Sequence, residues 1–230
     1  MFNCIFDFAT GVFIKMVDMR PVPTGRVTEN ILAVRTGSVS FFLYQKDGYI
    51  IALDAGFGKK VILRELFRLG IQPDSVSAVF LTHSDIDHAG GVSVFTNAFV
   101  YLSADEEQMI KRNTARKFGF IYNAALKRPY SLLRQDDEIS VGSIKARAIE
   151  TPGHTPGSMC YLIDGAFLFS GDAFNLIDGK AYPISKTYTM DQEEQIRSIR
   201  KLALLKGVET AFTAHRGFTG KFEDATADYR

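Results

Sequence analysis

The amino-acid sequence predicts an α/β sandwich. Short apolar segments typical of strands recur along the 230 residues, and longer segments with helical periodicity lie between them. Two Asp-Gly pairs, Asp47-Gly48 and Asp164-Gly165, each separate adjacent strand-like segments and predict β-hairpins. Strands and helices joined through hairpins favour a sandwich over a single parallel sheet. No Pro/Ser-rich linker and no repeat divides the chain, so we predict one domain over residues 1–230.

The first half of the chain contains the longest run of strand-like segments. Three apolar segments, 11–17, 30–35 and 39–44, open the chain, and further strands are predicted over 49–53, 76–81 and 99–102. A helix predicted over 60–69 carries its apolar residues on one side and ends before Gly70. A second helix, predicted over 104–118, begins with the acidic run 105–107, which suits the positive end of a helix dipole.

The second half repeats this pattern. Strands are predicted over 143–149, 159–163, 166–169 and 208–212. The helix predicted over 191–206 has apolar residues at helical spacing, and Gly207 lies beyond its end. Both halves therefore supply strands and at least one helix to the predicted sandwich.

The composition is that of an ordinary globular protein. Apolar residues make up 46% and charged residues 23% of the chain, so neither disorder nor a collagen-like repeat fits. The formal net charge of +1 supplies no global field for nucleic acid or an anionic membrane. No run approaches the ~18 apolar residues of a membrane helix, and the first residues lack the pattern of a signal peptide. We expect a cytoplasmic protein with Cys4 and Cys160 as free thiols, and neither a membrane nor a nucleic acid as partner.

Each histidine of the chain follows a strand-like segment or lies in a glycine-rich turn: His83, His88, His154 and His215. Loops at strand ends are where sites are commonly assembled on a rigid frame. Because alternate side chains of an extended loop point the same way, we expect His83, Asp85 and Asp87 to converge while His88 turns toward a neighbouring position. Imidazoles and carboxylates held close together are ligands for zinc, iron or manganese. The pattern predicts a metal site.

Five segments resemble landmarks of the metallo-β-lactamase superfamily and occur in that family's order. Segment 82–91 (THSDIDHAGG) resembles its His-x-His-x-Asp-His metal motif. Segments 151–158 (TPGHTPGS), 169–173 (FSGDA) and 214–217 (AHRG) resemble its third-histidine, bridging-aspartate and final-histidine turns. Segment 53–56 (LDAG) resembles the Asp-x-Gly turn that precedes the motif. The resemblance, which is to glyoxalase II-like and lactonase-like members, covers about residues 30–217.

The resemblance implies a four-layer αββα sandwich with two divalent cations as cofactors. One cation would be held by His83, Asp85 and His154, and the other by Asp87, His88 and His215, with Asp172 bridging both. A hydroxide shared by the cations would be the nucleophile at neutral pH. Asp87 is also a candidate for the group that holds or accepts a proton during turnover. The small residues 89–91 are expected to pass close to the metals before the chain enters a helix.

Asp85 departs from the family pattern, which has histidine at this position. A carboxylate still binds metal, but it adds a negative charge and a harder donor than imidazole. We therefore expect the preference to move from zinc toward iron(II) or manganese(II). The shorter side chain would also weaken or displace the first cation.

Asp54, in the turn that precedes the motif, supports two interpretations. It is either an acceptor that orients a ligand imidazole from behind, or the aspartate of an ordinary Asp-x-Gly turn after a strand. The sequence leaves both open.

A partly helical insert is predicted around residues 104–135. Basic and aromatic residues alternate in it: Lys111, Arg112, Arg116, Lys117, Phe118, Phe120, Tyr122, Lys127, Arg128, Tyr130 and Arg134. One hypothesis is a lid over the metals that pairs with an anionic substrate such as a phosphate or carboxylate. We favour the other, a helical excursion with a solvated basic face and an aromatic underside, because charged runs on helices commonly face solvent.

These features favour a metal-dependent hydrolase of a small molecule. A metal-bridging hydroxide would attack an ester, lactone, thioester or phosphoester, and the cations would stabilise the developing oxyanion. One alternative is a non-hydrolytic di-iron oxidoreductase, since such relatives carry a carboxylate at the position of Asp85. Those relatives usually include a flavin-binding domain, for which no residues are left here. The other alternative is a catalytically silent binding protein, against which the otherwise full ligand set argues.

Overall fold

The computed structural model describes residues 19–116, 123 and 126–230, together with the backbone of a hairpin of β1 (Ile5–Phe6) and β2 (Phe13–Ile14). Cys4, the other residues of segment 11–17 and residues 117–122, 124 and 125 of the insert lie outside the described residues. They include four of the insert's basic and aromatic residues: Lys117, Phe118, Phe120 and Tyr122. Within the described part of the chain, no helix has the length and apolar character needed to cross a membrane.

The first sheet contains seven strands within the described residues, in the order of the chain. They are β3 (Gly25–Arg26), β4 (Ile31–Thr36), β5 (Val39–Lys46), β6 (Tyr49–Leu53), β7 (Val76–Phe80), β8 (Phe99–Ser103) and β9 (Ser131–Leu133). Strands β3 to β6 pair antiparallel, and β6 to β9 pair parallel. Parallel neighbours need a crossover connection, and α1 (Lys59–Arg68) supplies it between β6 and β7.

The second sheet contains six of the described strands. They are β10 (Glu138–Val141), β11 (Ile144–Glu150), β12 (Met159–Ile163), β13 (Phe167–Phe169), β16 (Thr210–Phe212) and β17 (Phe218–Thr219). A separate hairpin of β14 (Asn175–Ile177) and β15 (Lys180–Tyr182), followed by α4 (Gln192–Ala203), connects the parallel pair β13 and β16. The short helices are α2 (Ile86–Ala89), α3 (Glu107–Ile110) and α5 (Phe222–Ala225).

Strand β5 shows that both faces of its sheet are buried. Phe41 and Leu43 belong to the core cluster under α1, whereas Phe42 and Tyr44 belong to the cluster between the two sheets. A third cluster, which includes Ile199, packs α4 against the outer face of the second sheet. The layers are therefore helix, sheet, sheet and helix, and the predicted four-layer αββα sandwich is confirmed. Strands covered on both faces are read as continuous apolar runs, which is why they stood out in the sequence.

Both predicted Asp-Gly hairpins are confirmed. Asp47 and Asp164 have φ of 49° and 50°, and each is followed by a glycine of positive φ, as tight hairpin turns require. The same signal occurs at Asp178-Gly179, which joins β14 to β15. That third hairpin was not among the predicted elements, and it forms part of the site described below.

The predicted helix over 104–118 is wrong in length. Among its described residues, 104–116, only Glu107–Ile110 is helical, because the Ala104 amide first bonds to the Leu133 carbonyl at the edge of the first sheet. Arg112 then takes a left-handed φ of 61°, which ends the helix. Not all of the acidic run 105–107 interacts with the helix dipole, because Glu106 is fully buried and has other partners. The described part of the insert is thus mostly loop, with strand β9 near its end.

Replacing Asp164 by asparagine is expected to lower the free energy of unfolding by about 1 kcal/mol at neutral pH. The Asp164 carboxylate links the sheets, because its Oδ2 accepts hydrogen bonds from Tyr44 and Lys46 of β5 at 2.8 and 2.9 Å. Burial raises the pKa of Asp164, but the Lys145 amide, Lys46 and Tyr44 outweigh it and lower the pKa below 3.8.

A carboxyl whose pKa is lowered by folding contributes stability above its unfolded pKa, and this contribution is lost as the pH falls through the folded pKa. Urea unfolding should therefore show a difference between wild type and Asp164→Asn at pH 7 that shrinks at acid pH. Asp178→Asn is the matched control, since Asp178 occupies the same kind of turn but is exposed. Equal losses from both substitutions would show that the turn, and not the link between sheets, accounts for the effect.

Candidate metal centre

The motif loop leaves β7 at the carboxyl end of the parallel strands, where sites are commonly found in α/β folds. His83 and Asp85 lie in the loop, and Asp87 and His88 lie in α2, which begins inside the motif at Ile86. The expectation that Asp87 converges with His83 and Asp85 is therefore wrong. Helix α2 turns Asp87 toward His88 and His215 instead.

The small residues after the motif serve packing. A Cβ on Gly91 would lie 2.1 Å from the Ala55 carbonyl oxygen and 2.4 Å from Ile62 Cδ1. The Gly91 amide also donates to the Gly56 carbonyl. After residues 89–91 the chain enters only a short 3-10 turn, Val92–Val94, and the glycine allows contact with the turn after β6. That these residues pass close to the metals stays a prediction.

The His154 turn, between β11 and β12, is fixed by close contacts at two glycines. A Cβ on Gly157 would lie 2.0 Å from the Glu106 amide nitrogen, and one on Gly153 would lie 2.4 Å from that of Gln195 in α4. Gly153 also has φ of 135°, which side chains rarely adopt. The two glycines of the TPGHTPGS segment therefore let the turn pack between the insert and α4.

Asp172 and His215 follow the parallel strands β13 and β16, so their turns lie side by side. A Cβ on Gly171 would meet Thr82 Oγ1 at 2.4 Å, which shows how closely the Asp172 turn approaches the motif loop. From the other side, Gln195 Nε2 donates to the Asp172 carbonyl at 3.0 Å. Helix α4 therefore supports both the Asp172 and the His154 turns.

The structure brings all seven predicted metal ligands together. Their donor atoms form three overlapping groups, each with its atoms within 4.8 Å of one another: His83–Asp85–His154, His83–His88–Asp172 and Asp87–His88–His215. The first and third groups are the two ligand sets that the resemblance implied. Asp172 lies between them, with Oδ2 at 3.4 Å from His154 Nε2 and Oδ1 at 3.4 Å from His215 Nε2. A carboxylate with one oxygen toward each set has the position of a bridge.

Hydrogen bonds behind three imidazoles aim their Nε2 atoms at the centre. Thr82 Oγ1 donates to the Asp54 carboxylate, and its remaining lone pairs can accept from His83 Nδ1 at 3.0 Å. His88 Nδ1 lies 2.8 Å from Asp54 Oδ2, and His215 Nδ1 lies 2.7 Å from a backbone carbonyl oxygen. Each bond places the ring proton on Nδ1, so the Nε2 lone pair is available to a cation.

Several buried atoms of the centre have no hydrogen-bond partner within the described residues. They include Nε2 of His83, Nε2 of His88 and Oδ1 of Asp172. Buried polar atoms in proteins are almost always bonded, and these are the atoms that the convergent groups direct at one another. Imidazole and carboxylate donors of this kind fit divalent cations of the zinc, iron and manganese class.

Asp54 lies directly behind the motif and is 4% exposed. Its Oδ1 accepts from the Thr82 amide at 2.7 Å, and its Oδ2 contacts His88 Nδ1 at 2.8 Å. The residue also has a left-handed φ of 65°, so it forms the turn as well. The geometry favours the interpretation in which the Asp54 carboxylate orients a ligand imidazole.

Asp54→Asn is expected to lower metal affinity by about 10- to 100-fold, because an amide orients the His88 ring less strongly than a carboxylate. Asparagine tolerates the left-handed φ, so the turn should persist. Competition with a chromogenic chelator measures the affinity, and Asp47→Asn, in another turn of positive φ, is the control. If Asp54→Asn binds metal as tightly as the wild type, the Asp54 carboxylate does not orient a ligand and serves only the turn.

The carboxylates and imidazoles of the centre pair with one another in the absence of cations. Burial raises the pKa of Asp172, but the charges of the surrounding imidazoles outweigh it and lower the pKa well below 3.8. Burial is likewise outweighed at Asp85, where His154 and His83 lower the pKa. Burial lowers the pKa of His88, yet the charges of the neighbouring aspartates raise it well above 6.5. Ionised carboxylates in a buried site attract cations, since their negative charge needs compensation there.

Arg116 reaches into the centre, and the interpretation of the insert as a solvated basic face is wrong for this residue. Its Nη2 lies 3.3 Å from Asp85 Oδ2, and its Nη1 donates to the His154 carbonyl at 2.7 Å. A second backbone carbonyl, that of Tyr188, also accepts from the guanidinium. The positive charge lies beside the carboxylate that replaces the family's histidine and offsets the added negative charge. No motif or periodicity in the sequence marks Arg116.

The other described basic residues of the insert lie away from the metal donors. Lys111, Lys127 and Arg134 are exposed, as a solvated face predicts. Arg128 donates to the backbone carbonyls of Phe95 and Ala98 and so fixes the loop before β8.

Glu106 connects the insert to two ligand loops. Its Oε1 accepts from the amide and the hydroxyl of Ser84 at 2.9 and 2.7 Å, and from Asn123 Nδ2 at 3.3 Å. Its Oε2 accepts from Thr155 Oγ1 at 2.6 Å. Ser84 lies between two metal-donor candidates, and Thr155 follows His154 in sequence. The sequence contains no signal for this role, because Glu106 reads there as part of an acidic helix start.

A cavity of about 340 Å³ opens over the centre. One wall consists of donor candidates: Asp85, Asp87, His154, Asp172 and His215. A largely apolar wall comes from β14 and the segment after β15, with Ile177, Pro183, Ile184 and Tyr188. Asp178-Gly179 was the sequence signal that could have located this hairpin.

The family model described as the metallo-beta-lactamase superfamily matches residues 34–215. A probable metallo-hydrolase from Methanocaldococcus jannaschii is 27% identical over 163 residues, which cover 71% of this chain and 68% of that protein. A hydroxyacylglutathione hydrolase from Idiomarina loihiensis is 26% identical over 176 residues, or 74% of this chain and 61% of the relative.

The solved structure of the MIM-2 metallo-beta-lactamase has the same fold. It superposes with a TM-score of 0.70 at 20% identity, and the match covers 91% of this chain and 88% of the other. The family match extends over most of the chain and includes the whole set of convergent donors, from His83 to His215. The chain therefore belongs to the metallo-β-lactamase superfamily, a superfamily of metal-dependent hydrolases.

Proposed function

We propose that this chain is a binuclear metal-dependent hydrolase of small acyl or phosphoryl compounds. The observation that carries the proposal is the convergence of seven donor residues, from turns far apart in sequence, into three overlapping groups. The orphaned, inward-facing Nε2 atoms of His83 and His88 support it, since such atoms are costly to bury without a ligand.

The two ligand sets follow the observed groups. His83, Asp85 and His154 would hold one cation, and Asp87, His88 and His215 the other, with Asp172 shared. When bound, a pair of divalent cations supplies Lewis-acid polarisation of the substrate and a hydroxide nucleophile at neutral pH. Asp85, which is paired with Arg116, gives the first ligand set a harder oxygen donor than a set made of histidines alone. We therefore propose zinc, or iron or manganese, as the metals.

The chain's own groups orient the substrate and handle the proton. Among the seven candidate metal ligands, Asp87 has the most exposed side chain, at 36%, and it lines the cavity. Its Oδ2 lies 3.6 Å from His215 Nε2 and 3.8 Å from His88 Nε2. A carboxylate at the edge of the centre can accept a proton from an approaching nucleophile and pass it to the leaving group. The apolar wall would exclude bulk water from the reacting bond.

An acyl substrate is the class we favour among esters, lactones, thioesters and phosphoesters. The relative named hydroxyacylglutathione hydrolase acts on an acyl compound, and the cavity beside the centre has an apolar wall of a size suited to a small acyl group. The donors on the other wall would face the carbonyl carbon of such a compound.

The experiment that tests the proposal is elemental analysis of protein purified without added metal, coupled to a screen of lactone, thioester, aryl ester and phosphodiester substrates. Two metals per chain and turnover of one substrate class are expected. His154→Ala should lower metal content and activity together, because it removes a donor from the first ligand set. Arg200→Gln, at an exposed position on α4, is the control.

Three results would contradict the proposal. Wild-type metal content in His154→Ala would refute the ligand assignment. Bound iron with a redox-active spectrum and no hydrolysis would favour the di-iron oxidoreductase. Metal-free protein that turns over no substrate would favour a binding protein of the same fold.

A further inference from the structure

Six buried side-chain atoms have no hydrogen-bond partner within the described residues. Four belong to the metal-donor candidates, namely His83, His88, His154 and Asp172. The remaining two are Asn175 Oδ1 and Arg216 Nε, and both residues line the cavity over the centre. Bound cations would account for the orphaned Nε2 atoms of His83 and His88 and for Oδ1 of Asp172. They do not account for an orphaned guanidinium N–H, which needs an acceptor.

The two cavity arginines differ in what holds them. The Arg116 guanidinium contacts the Asp85 carboxylate and donates to two backbone carbonyls. The Arg216 guanidinium forms no hydrogen bond or ion pair in the described part of the chain, and only its backbone amide is bonded, to Thr213 Oγ1. The cavity therefore contains one neutralised and one available guanidinium.

An unpaired guanidinium with a buried Nε–H is costly unless an anion joins it. Arginine presents its donors as a planar fork that matches the two oxygens of a carboxylate or phosphate. Asn175, which is 8% exposed and begins strand β14, lines the same cavity, where its Nδ2 can donate to an oxyanion and its orphaned Oδ1 can accept from an N–H or O–H of the same ligand. Together these groups form the polar part of a binding site.

The rest of the cavity limits the size and character of the ligand. Its volume of about 340 Å³ is at the small end of the range for ligand sites. Ile184 is buried, while Ile177 and Tyr188 remain 37% and 45% exposed on the apolar wall. An anion-binding pair next to such a wall suits a compact molecule with one anionic and one apolar part.

We propose that Arg216 and Asn175 bind an oxyanion group, a carboxylate or a phosphate, of a small and partly apolar substrate. This inference rests on the proposed function in one respect, namely that the bound anion is part of a substrate. The binding site itself follows from the unpaired donor, the amide and the cavity they share.

Calorimetric titration with three probes tests the site: butyrate, propylphosphonate and the uncharged butyramide. Wild-type protein should bind at least one anion more tightly than butyramide. Arg216→Gln should weaken that anion about 10- to 100-fold, as expected when a charge-assisted pair is removed, and should leave butyramide binding and metal content unchanged. Arg216→Lys should recover part of the affinity, because lysine keeps the charge but not the fork. Arg200→Gln is the matched control at an exposed site.

The preferred anion distinguishes a carboxylate from a phosphate, and a preference for either supports the site. Equal anion affinity in Arg216→Gln and Arg200→Gln would overturn it. A loss of metal in Arg216→Gln would also overturn it, because the guanidinium would then belong to the metal centre. If the wild-type protein hydrolyses a substrate but Arg216→Gln does not change anion affinity, this inference is refuted and the proposed function stands. If anion binding depends on Arg216 but the wild-type protein hydrolyses none of the substrates, the proposed function is refuted and this inference stands.

Discussion

Asp172→Ala is expected to remove at least one cation and to lower activity by more than about 100-fold, since loss of partners that only orient metal ligands already costs 10- to 100-fold. The two carboxylate oxygens of Asp172 face different ligand sets, at 3.4 Å from His154 Nε2 and 3.4 Å from His215 Nε2. One substitution therefore removes a donor from both sets. The side chain is also buried, so solvent cannot readily replace it.

Elemental analysis and chelator competition measure the effect on metal, and the substrate screen measures the effect on turnover. Asp172→Asn is the informative companion, because it keeps the shape and one oxygen but removes the charge. We expect it to retain more metal than Asp172→Ala. Full occupancy by two cations in Asp172→Ala would show that the carboxylate is not shared between the sets.

Glu106→Leu is expected to destabilise the metal-free protein by about 3–5 kcal/mol. The substitution leaves the Ser84 amide and hydroxyl without their acceptor in a buried region, and it removes one of two partners of the Thr155 hydroxyl and of Asn123 Nδ2. Metal affinity should fall as well, since Ser84 and Thr155 lie next to donors of the first ligand set. Chemical unfolding of metal-free protein separates the effect on the fold from the effect on metal binding.

The neighbouring residue provides the control for Glu106. Glu107 is paired with Lys111 and Tyr130 in a partly exposed position, so Glu107→Gln should cost far less stability than Glu106→Leu. Glu106→Gln preserves the shape and one acceptor and should lie between the two. A Glu106→Leu protein as stable as Glu107→Gln would mean that the loops are held by other contacts.

The strands and the metal donors could be predicted because each has a local signal. Strands buried on both faces form apolar runs, and Asp47 and Asp164 begin Asp-Gly turns that fix their hairpins. The donors follow strand ends in short motifs of fixed spacing. The helix over 104–118 failed because its residues have contacts with distant segments, such as that of Ala104 with Leu133, that outweigh local helical preference.

The sequence by itself predicted an α/β sandwich, and the resemblance of its short motifs implied the αββα layers, the candidate metal ligands and the departure at Asp85. These depend on periodicity and on short motifs, and both are written within a few residues of one another. The tertiary structure alone decided that Arg116 offsets Asp85 and that Glu106 joins two ligand loops. Each of these contacts joins side chains from separate segments of the chain. Their attraction depends on distance and burial in the folded molecule, and no local pattern of residues encodes either.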